Sequence, residues 1–387
     1  MDINLIRRDT PGCSDKLFFN SAGGSLMPET VVKTMTDYLK QEEEYGAYGV
    51  ADKNVHRINE FYEETAKFLL CKPYNIAFTT SSTDAYAKAL SSISFKSGDC
   101  IITTNDDYIS NQIAFLSLQK RMGVKVIRVK NLPDHELDLA DLESLIKTHH
   151  PKLIAVTHIP TNSGLIQNVE GVGELCKKYD ILYLVDACQS AGQLPLDVEK
   201  IGCDFLTVTG RKFIRGPRGT GFLYVSDKVL NRDMAPLFLD TSGASWIGFN
   251  EYKINKTAER FEHWETSIAS LLGFTEAIRY ANQVGLHHIE NYNRSLAEKL
   301  RENLQHKGFQ VLDQGNKLGS IVTFSYQDGT IGNLREMLKE KNVYFSVSAK
   351  HAALIDFTHK NVESVIRFSP HYFNTHEEID QLIQLFS

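Results

Sequence analysis

The stretch ILYLVDACQSAGQLPLDVEKIGCDFLTVTGRKFIRGPRGTGFLYV, residues 181–225, decides the fold. It contains three short apolar runs, Ile181–Asp186, Phe205–Thr209 and Gly221–Val225, each of strand length and bounded by polar or turn residues. A turn rich in Gly, Pro and Arg joins the last two runs, which favours an antiparallel pair there. The stretch therefore predicts buried strands of one sheet.

Four similar runs precede this stretch, and helical patterns alternate with them. The runs are Asn75–Thr79, Cys100–Thr104, Val124–Val129 and Leu153–His158. The helical patterns are Ser82–Phe95, Ser110–Arg121, Leu139–Lys147 and Val169–Tyr179, and an earlier helix is predicted from Pro28 to about Glu44. This alternation predicts an α/β fold with a mostly parallel seven-stranded sheet and helices on both faces.

The pattern changes after about Thr266. Long helices are predicted at Thr266–Gln283 and His287–Gln305, and a closing helix near Thr375. The strand patterns between them are Phe309–Leu312, Ile321–Tyr326, Val343–Val347 and Val365–Phe368. We therefore expect a large domain over residues 15–265 and a smaller α+β domain built from residues 1–14 and 266–387.

Composition narrows the class of protein. The chain has 387 residues, 42 basic and 48 acidic side chains and a formal net charge of −6, which disfavours a nucleic-acid partner. No apolar run approaches the roughly 18 residues of a membrane span, and the first residues lack the apolar core of a secretory signal. The six cysteines are scattered without metal-ligand spacing, so we expect a soluble protein in a reducing cytoplasm, without disulfides or a metal site.

Two charged residues follow buried strands in the opening stretch. Asp186 ends an apolar strand, where an unpaired carboxylate costs several kcal/mol, unless it is simply a turn or helix-capping aspartate. Lys212 lies among Arg211, Arg215 and Arg218, and these four cations in eight residues indicate an anionic ligand, unless they form a solvated basic loop. Like charges favour the neutral amine of Lys212, and a pKa lowered by roughly three units gives a nucleophile at neutral pH.

Hydroxyl side chains follow the first strand, from Thr79 to Thr83, and lead into a helix. Hydroxyls and backbone N–H groups at a helix N-terminus bind anions, although an ordinary Ser or Thr N-cap has the same sequence. The glycines near Lys212 match neither the dinucleotide-binding nor the P-loop spacing, which disfavours nicotinamide and ATP.

One ligand satisfies all three groups, and it is pyridoxal 5′-phosphate. Its aldehyde would condense with Lys212, and Asp186 would keep its ring nitrogen protonated, which an electron sink requires. Its phosphate is expected on Ser82, Thr83, Thr209 and Arg211.

The segment VDACQSAGQLPLDVEKIGCDFLTVTGRK, residues 185–212, resembles the class V aminotransferases of fold type I, the group that contains the cysteine desulfurases. The shared pattern is an Asp, a Gln three residues later and then Ser/Thr-x-x-Lys, and the resemblance spans roughly Phe18 to Ser387. It implies that Lys212 binds the cofactor covalently, that Asp186 pairs with the pyridine nitrogen and that Gln189 donates to the ring hydroxyl.

The resemblance implies roles for further residues. Tyr108, in NDDYISN, stands where the family stacks an aromatic ring on the cofactor, unless it is a core tyrosine. Arg367, in VIRFSPHYFNTHEEID, matches the arginine that clamps the substrate α-carboxylate, a role that suits its planar fork. Family members are homodimers, and Asp240–Trp246 is expected to reach the neighbouring subunit's phosphate. The N-terminal loop FFNSAGGS is expected to line the substrate side through Asn20, Ala22 and Gly23.

Three departures from the family pattern affect the site. Thr161 and Asn162 stand where many members have a single Asn, so both are expected at the cofactor and the one in contact stays open. Arg211 replaces the usual His beside the lysine, which removes a neutral acid–base candidate. No Cys occurs between Phe345 and Arg367, where persulfide-forming desulfurases carry one on a mobile loop. A persulfide on that loop is therefore not expected.

The sequence predicts a pyridoxal-phosphate-dependent lyase or aminotransferase that acts on a small amino acid. The first hypothesis is β-elimination with C–S bond cleavage of a cysteine-like substrate, with Lys212 as the base at Cα. The alternative is transamination or epimerisation in a biosynthetic pathway. A non-catalytic cofactor-binding protein is a remote third hypothesis. Specificity is expected to depend on loops around Glu42–Arg57, Ser242–Lys256 and Ser346–Val362.

Overall fold

A seven-stranded sheet forms the centre of the computed structural model, which describes residues 1–325 and 331–386. In spatial order its strands are Ile76–Thr79, Gly221–Val225, Phe205–Thr209, Leu182–Asp186, Leu153–Thr157, Cys100–Thr103 and Lys125–Arg128. The strand Gly221–Val225 pairs antiparallel with both of its neighbours, and the other neighbouring pairs are parallel. The predicted strands, the mostly parallel sheet and the antiparallel pair are therefore confirmed.

Apolar side chains leave both faces of this sheet, as expected for a parallel sheet covered by helices. In the strand Leu182–Asp186, Tyr183 and Val185 join the larger cluster of buried residues, whereas Leu182 and Leu184 join a separate cluster. Successive side chains of a strand point to opposite faces, so these two clusters lie on opposite sides of the sheet. Asp186 ends the strand between two buried layers.

Two helices, Ala47–Lys53 and Val55–Leu69, were not predicted and begin where a loop around Glu42–Arg57 was expected. Together with the others, which are close to their predicted positions, they cover these faces. The full set is Glu29–Tyr45, Ala47–Lys53, Val55–Leu69, Ser82–Ser91, Ile109–Met122, Leu139–His149, Val169–Lys178 and Ile268–Val284. The predicted helix Ser82–Phe95 ends four residues early. At its end the hydroxyls of Ser91 and Ser92 donate to the carbonyls of Lys88 and Ala89, and such local bonds compete with helix continuation.

A four-stranded antiparallel sheet forms a second layer, with strands Gln310–Val311, Val322–Ser325, Ser364–Phe368 and Ser346–Ala349 in spatial order. Its helices are Leu286–His306, Ile331–Glu340, Leu354–His359 and His376–Gln384. Thr375 and Glu378 form a reciprocal capping box at the last helix. Tyr326, the last residue of one predicted strand, lies outside the described residues.

The predicted strand Val343–Val347 is wrong in one respect, because it is two strands. Val343–Tyr344 pairs in parallel with Leu17–Phe18, and Ser346–Ala349 pairs with Ser364–Phe368. The N-terminal segment thus contributes a strand beside the second layer. The division into domains at residues 15 and 266 stays a prediction.

Arg215 lies away from the basic cluster in which the sequence analysis placed it. Its side chain is fully buried, with Nε donating to the Leu26 carbonyl at 2.9 Å and Nη2 donating to the Thr10 hydroxyl. The guanidinium carbon lies 4.9 Å from the ring centroids of both Tyr372 and Phe373. A tight turn with φ of 66° at Arg215 separates this side chain from Lys212. Arg215 therefore joins distant segments of the chain by packing and hydrogen bonding.

We expect the Arg215→Ala substitution to lower the free energy of unfolding by about 3 kcal/mol, because it removes hydrogen bonds and cation–π contacts from a buried site. Arg218 is exposed, so Arg218→Ala is a matched control that should change stability by less than about 0.5 kcal/mol. Urea denaturation of both variants measures the difference, and equal midpoints would contradict the assignment.

Candidate active site

A cavity of about 80 Å³ opens at the carboxyl ends of the central strands, where ligands bind in open α/β sheets. It is lined by Ser81, Ser82, Thr83, Tyr108, Asn111, Thr157, Ile159, Thr161, Asp186, Cys188, Gln189, Thr209, Arg211 and Lys212. The sheet therefore brings together the predicted lysine, acid, aromatic ring and phosphate-binding hydroxyls, although they are far apart in sequence.

Lys212 is buried, and its amine lies 5.8 Å from the centroid of the Tyr108 ring. Burial lowers the pKa of Lys212, and the cations Arg211 and Arg367 lower it further, while Cys188 and Asp186 act in the opposite direction. The sequence predicted the same lowering of the Lys212 pKa, but the main cause is burial and not the neighbouring positive charges. The like charges come from Arg211 and Arg367, and neither Arg215 nor Arg218 contributes to the cavity wall.

Asp186 is buried at the end of its strand, and each carboxylate oxygen accepts a hydrogen bond. The Cys188 backbone N–H donates to Oδ1 at 2.9 Å, and the Asn111 amide donates to Oδ2 at 3.0 Å. The bond from the Cys188 N–H is typical of an aspartate in a turn, which was the simpler of the two interpretations of Asp186 from the sequence. The second comes from another element and holds the carboxylate in the cavity wall.

The helix Ser82–Ser91 begins at the cavity. Ser81 is its N-cap and accepts from the Asp84 backbone N–H at 3.1 Å, while the Ser82 hydroxyl donates to the Thr207 hydroxyl at 3.0 Å. A Cβ atom on Gly221 would lie 3.1 Å from the Ser82 nitrogen, so this glycine lets the helix start approach the sheet closely. The arrangement directs a helix N-terminus at the cavity.

Gln189 and Arg367 meet at Thr161. The Gln189 amide donates to the Ala22 carbonyl at 3.2 Å and to the Thr161 hydroxyl at 3.4 Å, and Arg367 Nη1 donates to the Thr161 carbonyl at 3.0 Å. Gln189 Oε1 and Arg367 Nε are buried without a hydrogen-bond partner in the described chain. Burial, and then the charge of Arg211, lower the pKa of Arg367 to about 10.

The N-terminal loop contacts Gln189 and does not itself line the cavity. Ala22 reaches the cavity through its carbonyl bond to Gln189, whereas Asn20 and Gly23 are not part of the cavity wall. A Cβ on Gly23 would lie 2.5 Å from the Asn20 Oδ1, so a glycine is required beside this side chain. Arg367 itself is also outside the wall and is joined to it through Thr161.

A second cavity of about 300 Å³ shares Thr161 with the first, and Asn162 lines only the second. Its other walls come from the helix Ile109–Met122 and from the segment 351–356. That segment lies within Ser346–Val362, which was expected to be a loop that affects specificity but contains the strand Ser346–Ala349 and the helix Leu354–His359. The structure therefore distinguishes Thr161, which lines both cavities, from Asn162, which lines only the second, whereas the sequence did not distinguish between them.

Four residues in or beside the cavity were not predicted from the sequence: Asp107, Asn111, Thr157 and Cys188. Asn111 and Thr157 line the cavity, and Asp107 accepts hydrogen bonds from both of them. Asn111 lies three residues after Tyr108, which places both on one face of the helix start and is a signal that was present in NDDYISN. Cys188 lies within the motif itself, between Asp186 and Gln189.

The residues present suit pyridoxal 5′-phosphate. A buried amine of lowered pKa suits an aldehyde carbon, a buried carboxylate suits a protonated ring nitrogen, and a helix N-terminus beside Arg211 suits a phosphate. The unpartnered Gln189 Oε1 and Arg367 Nε are polar atoms of the kind that a ligand satisfies. In the described residues no group of three or more His, Cys, Asp or Glu side chains is arranged to hold a metal ion. All six cysteines are free thiols, and no described helix is long and apolar enough to span a bilayer.

Comparisons with known proteins agree with this geometry. Residues 17–382 match the family described as Aminotransferase class-V. A "Probable cysteine desulfurase" of Methanothermobacter thermautotrophicus is 29% identical over 97% of this chain and 95% of its own length. A protein of the same name from Pyrococcus abyssi is 29% identical over 98% of this chain and 95% of its own length.

Solved structures share the fold over nearly the whole chain. The apo cysteine desulfurase from Thermococcus onnurineus superimposes with a TM-score of 0.91 at 27% identity, covering 100% of this chain and 97% of that one. The cystine C–S lyase C-DES, in complex with its product cysteine persulfide, has a TM-score of 0.86 at 21% identity over 98% of this chain and 99% of its own. The fold and the site therefore define an enzyme of the fold type I, pyridoxal-phosphate-dependent class. Within that class, this chain belongs to the Aminotransferase class-V family.

Asp106 and Asp356 form a buried contact between the two layers beside the second cavity. Both are 5% exposed and their side chains are hydrogen-bonded, with Lys360 2.8 Å from Asp356 and Asn131 beside Asp106. Burial, and then the negative charge of Asp356, raise the pKa of Asp106 to about 7. The protonated form of Asp106 therefore stabilises this contact.

Since the folded pKa of Asp106 lies above its ordinary value, its contribution to stability is complete at acidic pH and is lost as the pH rises through about 7. We expect the melting temperature to fall between about pH 4 and pH 7.5, the range between the ordinary and the raised pKa of Asp106, and less so in Asp106→Asn, whose amide stays neutral. Burial raises the pKa of Glu262 to about 8, so only the difference between the two proteins is informative. Identical pH profiles would contradict the prediction.

Proposed function

We propose that this protein binds pyridoxal 5′-phosphate on Lys212 and cleaves the C–S bond of a cysteine-like amino acid by β-elimination. The observation that carries the proposal is a buried lysine of lowered pKa in one cavity with a buried aspartate. The names of the similar proteins, cysteine desulfurase and cystine C–S lyase, support a sulfur-containing substrate.

The side chains of the cavity have distinct tasks in this proposal. Ser82, Thr83, Thr209 and Arg211 would hold the phosphate. Tyr108 would cover one face of the ring, and Thr161 rather than Asn162 would contact the cofactor, because only Thr161 lines the first cavity. Arg367 would bind the substrate carboxylate, with Asn20, Ala22 and Gly23 shaping the substrate side from behind Gln189.

When bound, the cofactor supplies an electron sink for the pair released from Cα. Lys212 in its neutral form accepts the Cα proton, and burial favours that form. The Cβ–S bond then breaks with its electron pair leaving on sulfur. The released 2-aminoacrylate hydrolyses, so that cysteine and water give pyruvate, ammonia and hydrogen sulfide.

Release of free sulfide is favoured over transfer to a protein cysteine. All six cysteines precede Lys212, so none is on the segment between Phe345 and Arg367. Cys188 lies in the cavity, but burial and the charge of Asp186 raise the pKa of its thiol to about 12. Its sulfur is therefore protonated at neutral pH and is a poor nucleophile.

We expect the purified protein, loaded with pyridoxal 5′-phosphate, to convert L-cysteine or an S-substituted cysteine into pyruvate and ammonia in equal amounts. Lys212→Ala should lower the rate by at least about 10³-fold, because it removes the base and the covalent attachment. The exposed Lys200→Ala is the matched control and should retain full activity. Assays of pyruvate and ammonia with a panel of amino acids test this prediction.

Other products would contradict the elimination. Conversion of the cofactor to its amine form would indicate a transaminase, and exchange of the Cα proton with retained substrate would indicate an epimerase. Absence of a visible absorption band in the loaded wild-type protein would contradict cofactor binding itself.

We also propose a homodimer, as in the family. The hairpin of Ala244–Gly248 and Glu251–Ile254 exposes large apolar side chains, with Phe249 98% and Trp246 79% exposed and Phe238 beside them at 83%. A contiguous exposed apolar patch of this kind favours a protein interface. Asp240–Trp246 would then complete the site of the partner subunit.

We expect the protein to sediment as a dimer and the double variant Trp246→Ser/Phe249→Ser to sediment as a monomer, because the substitution removes the apolar area that drives association. The variant Leu354→Ser, which changes an exposed apolar residue elsewhere, is the control and should stay dimeric. A wild-type monomer, or a dimeric double variant, would contradict this interface.

A further inference from the structure

We propose that Asp107 and Asn111 are positioning residues that fix the Asp186 carboxylate under the cofactor ring nitrogen and keep that nitrogen protonated. The inference rests on the proposed binding of pyridoxal 5′-phosphate and goes beyond it. It assigns a role to two residues outside the motif that contains Asp186 and Lys212.

The Asn111 side chain joins two carboxylates. Its Nδ2 donates to Asp107 Oδ1 and to Asp186 Oδ2, each at 3.0 Å, and Asn111 and Asp186 are both buried. The amide has two N–H bonds, so both are used, and only its NH₂ end can face two carboxylates. The orientation of Asn111 is therefore determined by the two acids it joins.

Asp107 is held as an acceptor by donors from three elements. Oδ1 accepts from the Tyr108 backbone N–H at 2.7 Å and from the Thr157 hydroxyl at 2.5 Å, and Oδ2 accepts from the Gln112 amide at 2.8 Å. With Asn111 and a longer bond from the Thr103 hydroxyl, five donors meet two oxygens. Burial raises the pKa of Asp107, and the hydrogen bonds from Thr157, Asn111 and Gln112 act in the opposite direction.

The network ends on a cation. Gln112 Oε1 accepts from Arg128 Nη2 at 2.5 Å, so one amide connects Asp107 to a guanidinium on the edge strand. A buried carboxylate is costly without such compensation. Arg128, Gln112, Asp107, Asn111 and Asp186 thus form a continuous series in which each acceptor meets a donor.

This series acts on Asp186 in two ways. Hydrogen bonds to separate oxygens, from Cys188 and from Asn111, fix the plane of the carboxylate and leave lone pairs free for a ring N–H. The bond from Asn111 also presents Asp186 as a hydrogen-bond acceptor, which is the role that a protonated ring nitrogen requires of it. Without it, the ring would be a weaker electron sink.

The test compares wild type, Asn111→Leu, Asp107→Asn and Ser110→Ala as a matched control from the same helix turn. The probe is pyridoxal 5′-phosphate labelled with ¹⁵N in the ring, added to apo protein. We expect the ring ¹⁵N shift to be that of a protonated nitrogen in wild type and control, and to move toward the unprotonated value in Asn111→Leu. Cofactor dissociation constants should rise about tenfold in Asn111→Leu and in Asp107→Asn.

Melting curves of the apo proteins and kinetics separate positioning from folding. Loss of positioning lowers kcat more than it raises KM and moves the ¹⁵N shift, whereas a purely structural role lowers apo stability and leaves the shift unchanged. If Asn111→Leu fails to fold, the same shift in Asp107→Asn decides the question. Wild-type shifts and affinity in the folded variants would overturn this inference alone, whereas a wild type that binds no cofactor would overturn the proposed function.

Discussion

The register of three parallel strands is the constraint on which the site depends. It aligns Thr157, Asp186 and Thr207 in one row at the carboxyl edge of the sheet. The two threonines then bind neighbouring segments: the Thr157 hydroxyl bonds to Asp107, and the Thr207 hydroxyl bonds to Ser82 at the start of a helix. A slip of one residue would turn these side chains to the opposite face. The apolar packing that fixes the register therefore also fixes the distance between Asp186 and the start of the helix Ser82–Ser91.

The charge balance of the cavity follows from that frame. Lys212 makes no ion pair within the described residues, and Arg211 and Arg367 add two more cations close by, whereas Asp186 is the carboxylate that acts on Lys212. Each unit of lowered pKa corresponds to about 1.4 kcal/mol against the charged amine. A phosphate held by Arg211 and a substrate carboxylate held by Arg367 would reverse this imbalance. Ligands of the proposed chemistry would thus offset the cost of burying Lys212 and Arg367 beside the partly buried Arg211.

The seven strands were predicted correctly, and Lys212 and Asp186 line one cavity as expected, because these features depend on local pattern and on one motif. The roles of the two residues stay predictions. The network of Asp107 and Asn111 escaped prediction because it needs the helix start and the strand register together. Arg215 was misassigned since adjacency in sequence does not show direction, and a left-handed turn sends it into a cluster of aromatic rings. The strand break before Ser346 was missed because Val343–Tyr344 is recruited by the distant Leu17–Phe18.

The acid and the lysine activate Cα in any reaction of this class, so the outcome depends on what lies beyond Cβ. A mobile thiol there would accept sulfur, but in this chain the segment 351–356 forms the wall of a cavity instead. The thiol that does lie nearby is that of Cys188, and burial and the charge of Asp186 raise its pKa to about 12, which keeps it protonated at neutral pH. Neither the segment between Phe345 and Arg367 nor Cys188 thus offers an ionised thiol, which favours the proposed departure of sulfur as free sulfide over its capture by the protein.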